Sequence, residues 1–280
     1  MPAAMNVQHP PVSPGTPPAL QELRVVLLGR KGAGKSAAGN TLLGGVGGFE
    51  SGKPTEECVK RRADVVGRKV TVVDTPGWEW YYPLNSTPNW VRRETLRSVT
   101  LCPPGPHAVL LVVRSCASIT DSYIQEIEEH LEPLGRDVWK HTLVLFTRGD
   151  ELGLTTMEQR IQTSGSGLQR LLQKCSSRYH IVNNYSKGDG TQVKELIRKL
   201  EAMVDGKKGG RSHLELDNGV LLGLEADGTI KAALMSKSFR LFNAEEETSN
   251  LSRYLLSDGP QGSELDAHQS FSKAPRRLPE

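Results

Sequence analysis

The chain has 280 residues, and its 35 basic and 32 acidic side chains leave a formal net charge of +3 at pH 7. A charge this small and this evenly spread is not typical of a nucleic-acid-binding surface, so we expect no nucleic-acid partner. The longest apolar run of the predicted core, residues 108–113, is far shorter than the roughly 20 residues of a membrane span. We therefore expect no transmembrane anchor. The four cysteines lie far apart and form no CxxC pair, which indicates reduced thiols and a cytoplasmic protein.

Composition divides the chain into three parts. Residues 1–20 hold six of the 17 prolines and no periodic apolar pattern, so they are predicted to be disordered. A regular pattern of strands and helices occupies residues 21–204. Gly- and Ser-rich sequence follows, and 205–280 is predicted to be a largely irregular or disordered extension. Apolar residues within 214–224 and 230–242 could form short local structure there.

Short apolar runs predict the strands of the folded region, since continuous runs of this length are typical of strands buried on both faces of a parallel sheet. Apolar residues at helical spacing lie between the later runs. The alternation predicts an α/β fold in three layers, with a mostly parallel sheet and helices on both faces. The strand runs are 23–28, 70–73, 108–113, 143–146 and the weaker 180–182, and the helical patterns are 124–134, 168–175 and 193–200. Residues 155–158 have the spacing of a capping box that would start the second helix.

The strongest motif is GRKGAGKS at residues 29–36, which matches the pattern GxxxxGK[ST] of a phosphate-binding loop. It follows the first predicted strand and leads into a helix, so backbone N–H groups and the helix dipole face a polyanion. In such a loop Lys35 reaches the β- and γ-phosphates, and the hydroxyl of Ser36 is a ligand of Mg²⁺. We predict a nucleotide-binding protein; a chance match is the alternative.

A DxxG motif, Asp74 to Gly77, ends the second predicted strand. At that place Asp74 can hold a magnesium-bound water, and the N–H of Gly77 can meet the γ-phosphate. An ordinary turn would have the same sequence, so the motif gains its weight from its position after the phosphate-binding loop.

Asp150, in TRGD at residues 147–150, follows the 143–146 strand and could bind the base. A carboxylate accepts hydrogen bonds from N1 and N2 of guanine, whereas N1 of adenine is itself an acceptor. The usual motif for this task is Asn-Lys-x-Asp, of which only the Asp is present, and a loop-capping role is nearly as well supported. Asn183 and Asn184 could contact the base or could simply form a turn.

Together these segments resemble the GIMAP, or immunity-associated nucleotide-binding (IAN), GTPases, which are relatives of the septin and chloroplast-import GTPases. The resemblance covers about residues 22–204 and implies a P-loop GTPase fold. It also favours guanine, because the guanine motif of that family is degenerate in the same way. The matching segments are LRVVLLGRKGAGKSAAGNTLLG at 23–44, FESG at 49–52, TEEC at 55–58, VVDTPG at 72–77, CPPGPHAVLLVV at 102–113, LFTRGDEL at 145–152 and RYHIVNN at 178–184.

The resemblance implies GTP or GDP with Mg²⁺ as cofactors, and a homodimer or nucleotide-dependent homo-oligomer that forms through the G domain. Ser51 lies where the first switch of the family contacts nucleotide, and Thr55 would complete the magnesium shell together with Ser36. Asn184, more than Asn183, would line the guanine pocket. The residues implied to contact the phosphates are Gly29, Arg30, Lys31, Gly32, Ala33, Gly34, Lys35, Ser36 and Ala37, and those implied to meet the base are Arg148, Gly149 and Asp150.

The catalytic group is not identified by the sequence, and Lys35, Thr55 and Gly77 are the candidates. Small signalling GTPases have a Gln directly after DxxG, but Trp78 stands there. Some members of the resembled family use a catalytic arginine that follows their hydrophobic box, the segment that matches residues 102–113 here. The corresponding segment of this chain is CASITD at 116–121 and has no arginine, and Arg114 is a weakly supported substitute. Hydrolysis is therefore expected to be slow.

Aromatic residues are concentrated after Gly77 and could anchor a partner. Packing within the same domain is the slightly favoured alternative. The residues are Trp78, Trp80, Tyr81, Tyr82 and Trp90.

Three functions remain open. The first is a guanine-nucleotide switch that self-associates with GTP and hydrolyses it slowly. The second is a scaffold that GTP gates without being hydrolysed. The third is an ATP-dependent P-loop enzyme such as a small kinase.

Overall fold

The structure of the protein is a computed structural model that describes residues 22–46, 48–79, 87–183, 190–206 and 212–226. One six-stranded sheet forms its centre, with strands β1 (Glu22–Leu28), β2 (Val59–Val65), β3 (Arg68–Asp74), β4 (Ala108–Arg114), β5 (Thr142–Thr147) and β6 (Tyr179–Ile181). The strand order is β2-β3-β1-β4-β5-β6, and all neighbours are parallel except β2 and β3. The helices are α1 (Lys35–Leu42), α2 (Asn89–Thr100), α3 (Asp121–Leu131), α4 (Met157–Thr163), α5 (Ser166–Lys174), α6 (Thr191–Asp205) and α7 (Asn218–Ala226).

The central strand β1 shows why this sheet needs helices on both faces. Val25 and Leu27 belong to an apolar cluster that also contains side chains of α1 and α6. Val26 and Leu28 alternate with them, so they point to the opposite face, and they are fully buried as well. The predicted three-layer α/β fold with a mostly parallel sheet is confirmed.

The strand β2 lies at the edge of the sheet and has a polar sequence. Arg61 and Arg62 are exposed in its middle, and Val65 at its end is buried. Charged side chains are common on edge strands because they discourage pairing with another chain. A strand of this kind carries no apolar run, so the apolar pattern of the sequence does not identify it.

Two helical segments differ from the prediction. The helix α2 was not predicted, although Val91, Leu96 and Val99 bury one of its faces. The capping box lies one residue later than expected: Thr156 is the N-cap and Gln159 closes the box. It starts α4, and α5 is a separate helix, because the chain leaves the helical conformation at Ser164 between them.

The helix α7 lies within the predicted extension 205–280. It contacts α2, and the segment before it is fixed by a hydrogen bond from the Leu214 N–H to the Pro106 carbonyl oxygen at 2.8 Å. The rest of that extension, and the predicted tail 1–20, lie almost entirely outside the described residues, so the domain boundaries stay predictions. Within the described ranges, no helix is both long and apolar enough to cross a membrane.

The capping box allows a test of the α4 register. The hydroxyl of Thr156 accepts from the Gln159 N–H at 3.2 Å, and the Gln159 side chain accepts from the Thr156 N–H at 3.0 Å. Thr156→Ala should lower the free energy of unfolding by about 1 kcal/mol in urea denaturation, because it removes the cap. Thr155→Ala is the matched control and should change it by a few tenths of a kcal/mol at most. A larger loss of stability in Thr155→Ala than in Thr156→Ala would contradict the assignment of Thr156 as the N-cap.

Candidate functional site

The loop 29–34 connects β1 to α1 at the carboxyl edge of the sheet. Gly34 is the N-cap of α1 with φ = 93°, a conformation that favours glycine, and it supplies no side-chain cap. The first backbone N–H groups of a helix have no partner within that helix, and in α1 these groups follow directly on the loop. Such a helix terminus is suited to an anion.

Lys35 is buried at the first position of α1. Its Nζ donates to the carbonyl oxygens of Gly29 at 3.1 Å and Arg30 at 3.2 Å, so the side chain lies across the loop. Burial lowers the pKa of Lys35 to about 8, and the nearby Asp74 carboxylate opposes that shift. An anion in the loop would favour the charged form of this ammonium group.

Asp74 is the last residue of β3, and its carboxylate accepts hydrogen bonds from two hydroxyl groups. Ser36 Oγ donates to Asp74 Oδ2 at 2.6 Å, and Thr55 Oγ1 donates to the same oxygen at 3.1 Å. The other carboxylate oxygen, Oδ1, is buried and has no hydrogen-bond partner among the residues that the structure describes. Burial raises the pKa of Asp74, while its hydrogen bonds and Lys35 lower it.

These oxygens fit a magnesium ion. Mg²⁺ prefers hard oxygen ligands and keeps several of its waters. Two hydroxyl oxygens can coordinate the ion directly here, and the unpartnered carboxylate oxygen beside them can accept a hydrogen bond from a coordinated water. Ser36 and Thr55 would be the direct ligands, and Asp74 would hold a coordinated water. Bound there, the ion would neutralise charge on a nucleotide's phosphates.

Gly77 brings the DxxG segment against the loop. A methyl group in place of its Hα would lie 2.5 Å from the Lys31 backbone nitrogen and 2.6 Å from Lys35 Nζ, so only glycine fits. Thr75 anchors the segment from the other side, since its hydroxyl donates to the Leu27 carbonyl oxygen at 2.6 Å. The structure therefore brings Gly29, Lys35, Ser36, Thr55, Asp74 and Gly77 together at one edge of the sheet.

Thr147, which the sequence analysis did not select, joins the predicted base-binding loop to the phosphate loop. It ends β5, and its hydroxyl donates to the Ala33 carbonyl oxygen at 2.7 Å. The next residue, Arg148, has φ = 55°, and its carbonyl oxygen accepts from Ser115 Oγ at 2.6 Å. Thr147 occupies the first position of the degenerate TRGD motif, where the usual motif has an Asn. This position is the sequence signal by which Thr147 could have been selected as a site residue.

Gly149 lies against Asn183, just beyond β6. A methyl group on Gly149 would lie 2.4 Å from Asn183 Oδ1, so the two predicted base-binding residues are neighbours. Asn183 is held through its backbone, because its N–H donates to Gln192 Oε1 at 3.0 Å. Asp150 lies in the short 3₁₀ turn Gly149–Leu152 and is exposed. Asn184, the preferred candidate, lies outside the described residues.

The side chains of two residues that were predicted to contact the phosphates have protein partners. Arg30 Nε and Nη2 donate to both carboxylate oxygens of Glu126 in α3, at 2.6 and 2.5 Å. Lys31 Nζ pairs with Glu79 at 2.5 Å. Ser51 is exposed in the turn between α1 and β2, Gly32 and Ala33 lie in the loop, and Ala37 lies in the first turn of α1.

Trp78 is buried, with 1% of its surface exposed. Its ring stacks on His130 of α3 at 4.1 Å between centroids, and its Nε1 donates to Glu126. Trp78 therefore packs within its own domain, whereas Trp90 in α2 is 45% exposed. The three remaining aromatic residues of the predicted cluster, Trp80, Tyr81 and Tyr82, lie outside the described residues.

The family model named AIG1 family matches residues 23–220 of this chain. The chain belongs to the AIG1 family. The resemblance to the GIMAP and IAN GTPases is thereby confirmed, and the family is one of GTP-binding GTPases.

Two relatives show how far the similarity extends. GTPase IMAP family member 8 of Homo sapiens is 30% identical over 231 residues, which cover 78% of this chain and 32% of that protein. Immune-associated nucleotide-binding protein 7 of Arabidopsis thaliana is 31% identical over 196 residues, or 66% of this chain and 60% of that protein. The chain thus spans about a third of the first relative and less than two thirds of the second.

Solved structures with the same fold include Toc33 from Arabidopsis thaliana. Its complex with GDP and Mg²⁺ has a TM-score of 0.51 at 15% identity, covering 71% of this chain and 89% of Toc33. A dimerization-deficient mutant of Toc33 has a TM-score of 0.50 at 17% identity, covering 66% and 84% of the two chains. At these identities the similarity establishes the P-loop GTPase fold.

The buried His130 should make stability depend on pH. Burial, with Arg92 as a second cause, lowers the pKa of His130 to about 3, and Thr87 Oγ1 lies 3.2 Å from its Nε2. Below pH 6.5 the unfolded imidazole gains a proton that the folded one does not, so this contribution to stability is lost as the pH falls from 6.5 towards 3.

His130→Phe keeps a ring on Trp78 and removes the titration. Between pH 7.5 and 5.5, the wild type should lose about 1 kcal/mol more free energy of unfolding than this variant. Urea titrations at the two pH values measure the difference. Equal losses in both proteins would show that His130 is not buried in its neutral form.

Proposed function

We propose that this protein is a guanine-nucleotide-binding switch whose GTP-bound form self-associates and hydrolyses GTP slowly. The observation that carries the proposal is the convergence of Lys35, Ser36, Thr55 and Gly77 around Asp74. Two charged side chains are buried there, and one carboxylate oxygen has no partner in the described part of the chain. A triphosphate with Mg²⁺ supplies the charges that this arrangement needs.

Each predicted contact has a role in this proposal. The backbone of residues 29–37 wraps the phosphates, and Lys35 binds the β- and γ-phosphates. Ser36 and Thr55 hold the magnesium ion, and the Gly77 N–H meets the γ-phosphate. Ser51 contacts the nucleotide when the first switch closes over it.

Asp150 gives the base specificity. Its carboxylate accepts from N1 and N2 of guanine, while Arg148, Gly149, Asn183 and Asn184 border the base. Support comes from Thr147 and Gly149, whose contacts hold this loop against the phosphate loop and Asn183. Toc33, which has the same fold, has been solved with GDP and Mg²⁺.

Self-association is proposed because a dimerization-deficient mutant is known for Toc33, which has the same fold. The surface involved would be the face that carries the nucleotide. A cytoplasmic location is part of the same proposal.

A scaffold that binds GTP without hydrolysing it is the second candidate, and the burial of Trp78 favours it. Catalysis of GTP hydrolysis needs a group that orients the attacking water, and the residue after DxxG often supplies it. Trp78 has no suitable group, and its one donor is already bound to Glu126.

Base preference tests the pocket. We expect the purified protein with Mg²⁺ to bind GDP at least a hundredfold more tightly than ADP, a discrimination on the order of that seen at polar recognition sites. Asp150→Ala should reduce this preference at least tenfold, because the donors of guanine lose their acceptor. Asp137→Ala removes an exposed carboxylate elsewhere and is the matched control. Competition against a fluorescent nucleotide measures both ratios. An unchanged preference in Asp150→Ala, or a preference for ADP in the wild type, would contradict the proposal.

Phosphate release over a wide range of protein concentration separates the switch from the scaffold. The switch predicts turnover per molecule that rises with concentration, because a second subunit supplies the missing catalytic group. Lys35→Ala, which loses the phosphate contact, gives the background rate. A wild-type rate that stays at this background at every concentration would leave the scaffold as the function.

A further inference from the structure

Glu126 is a nearly buried carboxylate that joins three parts of the molecule. It lies in α3, and its side chain is 10% exposed. Arg30 of the phosphate loop binds both of its oxygens, at 2.6 and 2.5 Å, and Trp78 from the DxxG segment donates to one of them. The Arg30 guanidinium also lies 3.3 Å from the centre of the Tyr123 ring in the same helix. Glu126, Arg30 and Trp78 are called the clamp below.

The contacts of the clamp fix the orientations of the Arg30 and Trp78 side chains. A two-pronged arginine–carboxylate pair holds both partners in one orientation, and burial makes the loss of either partner costly because it leaves an unpaired charge. The Trp78 ring also stacks on His130 of the same helix, with an angle of 13° between the rings. Neither Arg30 nor Trp78 can turn without breaking a contact to α3.

The clamp is connected through the backbone to Gly77, whose N–H would meet the γ-phosphate. The Lys31 N–H donates to the Trp78 carbonyl oxygen at 2.7 Å, which ties the phosphate loop to the residue after Gly77. A methyl group on Gly77 would lie 2.5 Å from the Lys31 backbone nitrogen and 2.6 Å from Lys35 Nζ, so Gly77 packs closely against the phosphate loop. The position of the Gly77 N–H is therefore set by the same contacts that hold Trp78.

We propose that Glu126 is a positioning residue that, through Arg30 and Trp78, holds the Gly77 N–H where the γ-phosphate binds, and so determines the preference for triphosphate over diphosphate. This inference rests on the proposed function and adds the residue that controls its triphosphate state. Within the phosphate loop, the Glu126 contacts hold only the Arg30 side chain. The β-phosphate would be bound by the loop backbone and by Lys35, so diphosphate affinity depends on the clamp much less than triphosphate affinity does. Since Glu126 belongs to α3, a partner that displaces this helix would change triphosphate affinity.

Binding of GDP and of the non-hydrolysable analogue GMPPNP tests the clamp in the full chain with Mg²⁺. Glu126→Gln keeps an acceptor for Trp78 but leaves Arg30 without its counter-charge. Trp78→Phe keeps a ring on His130 but removes the donor to Glu126, and serves if the first variant does not fold. Glu128→Gln is the matched control, because Glu128 is a carboxylate of the same helix that pairs with Lys174 at 2.9 Å, away from the clamp.

The expected result is selective. Both clamp variants should bind GMPPNP at least fivefold more weakly than the wild type while their GDP affinity stays within twofold, and the double variant should lose no more than the larger single loss. The control should match the wild type for both nucleotides. Equal losses for both nucleotides, no loss, or tighter GMPPNP binding would overturn the clamp's role. A wild type that binds neither nucleotide would overturn the proposed function and this inference with it.

Discussion

Lys35 and Asp74 carry opposite charges, and both are buried at the carboxyl edge of the sheet, close enough to affect each other's pKa. Burial alone would drive each group towards its neutral form, and each offsets part of that effect in the other. Carbonyl oxygens accept hydrogen bonds from Lys35, and hydroxyl groups donate to Asp74 Oδ2. Within the described residues, only Asp74 Oδ1 of these two groups has no hydrogen-bond partner. The site is therefore shaped by charges that a nucleotide and a cation would complete.

The elements that create this edge follow from simple patterns, and those patterns were sufficient to predict it. Continuous apolar runs identified β1, β3, β4 and β5, and the motif at residues 29–36 fixed the loop between β1 and α1. The polar edge strand β2 and the helix α2 were harder because neither has a continuous apolar run. In α2 the apolar residues Val91, Leu96 and Val99 are separated by charged residues that dilute the signal.

Side chains whose importance depends on long-range contacts could not be found from the sequence. Thr147 stands where the usual motif has an Asn. Its hydroxyl donates to the Ala33 carbonyl oxygen, and sequence spacing cannot show that such a bond forms. Glu126 looks like one of several surface carboxylates of α3 until the fold brings Arg30, 96 positions away, against it. For Trp78 the sequence favoured packing within the domain only slightly over a partner surface, and the fold shows that it is buried against His130 of α3.

The contacts that hold the phosphate loop and the DxxG segment also restrict where a catalytic group can come from. Glu126 engages both the Arg30 guanidinium and the Trp78 N–H, Lys31 pairs with Glu79, and Arg148 pairs with Glu151 at 2.7 Å. Within the described residues, these cations of the phosphate and base loops are already neutralised by acidic neighbours. Releasing one of them to the γ-phosphate would leave its partner carboxylate unpaired, and for the nearly buried Glu126 that cost is large. If the domain binds GTP as proposed, this arrangement would hold the triphosphate more readily than cleave it, and rapid cleavage would require a group brought by another molecule.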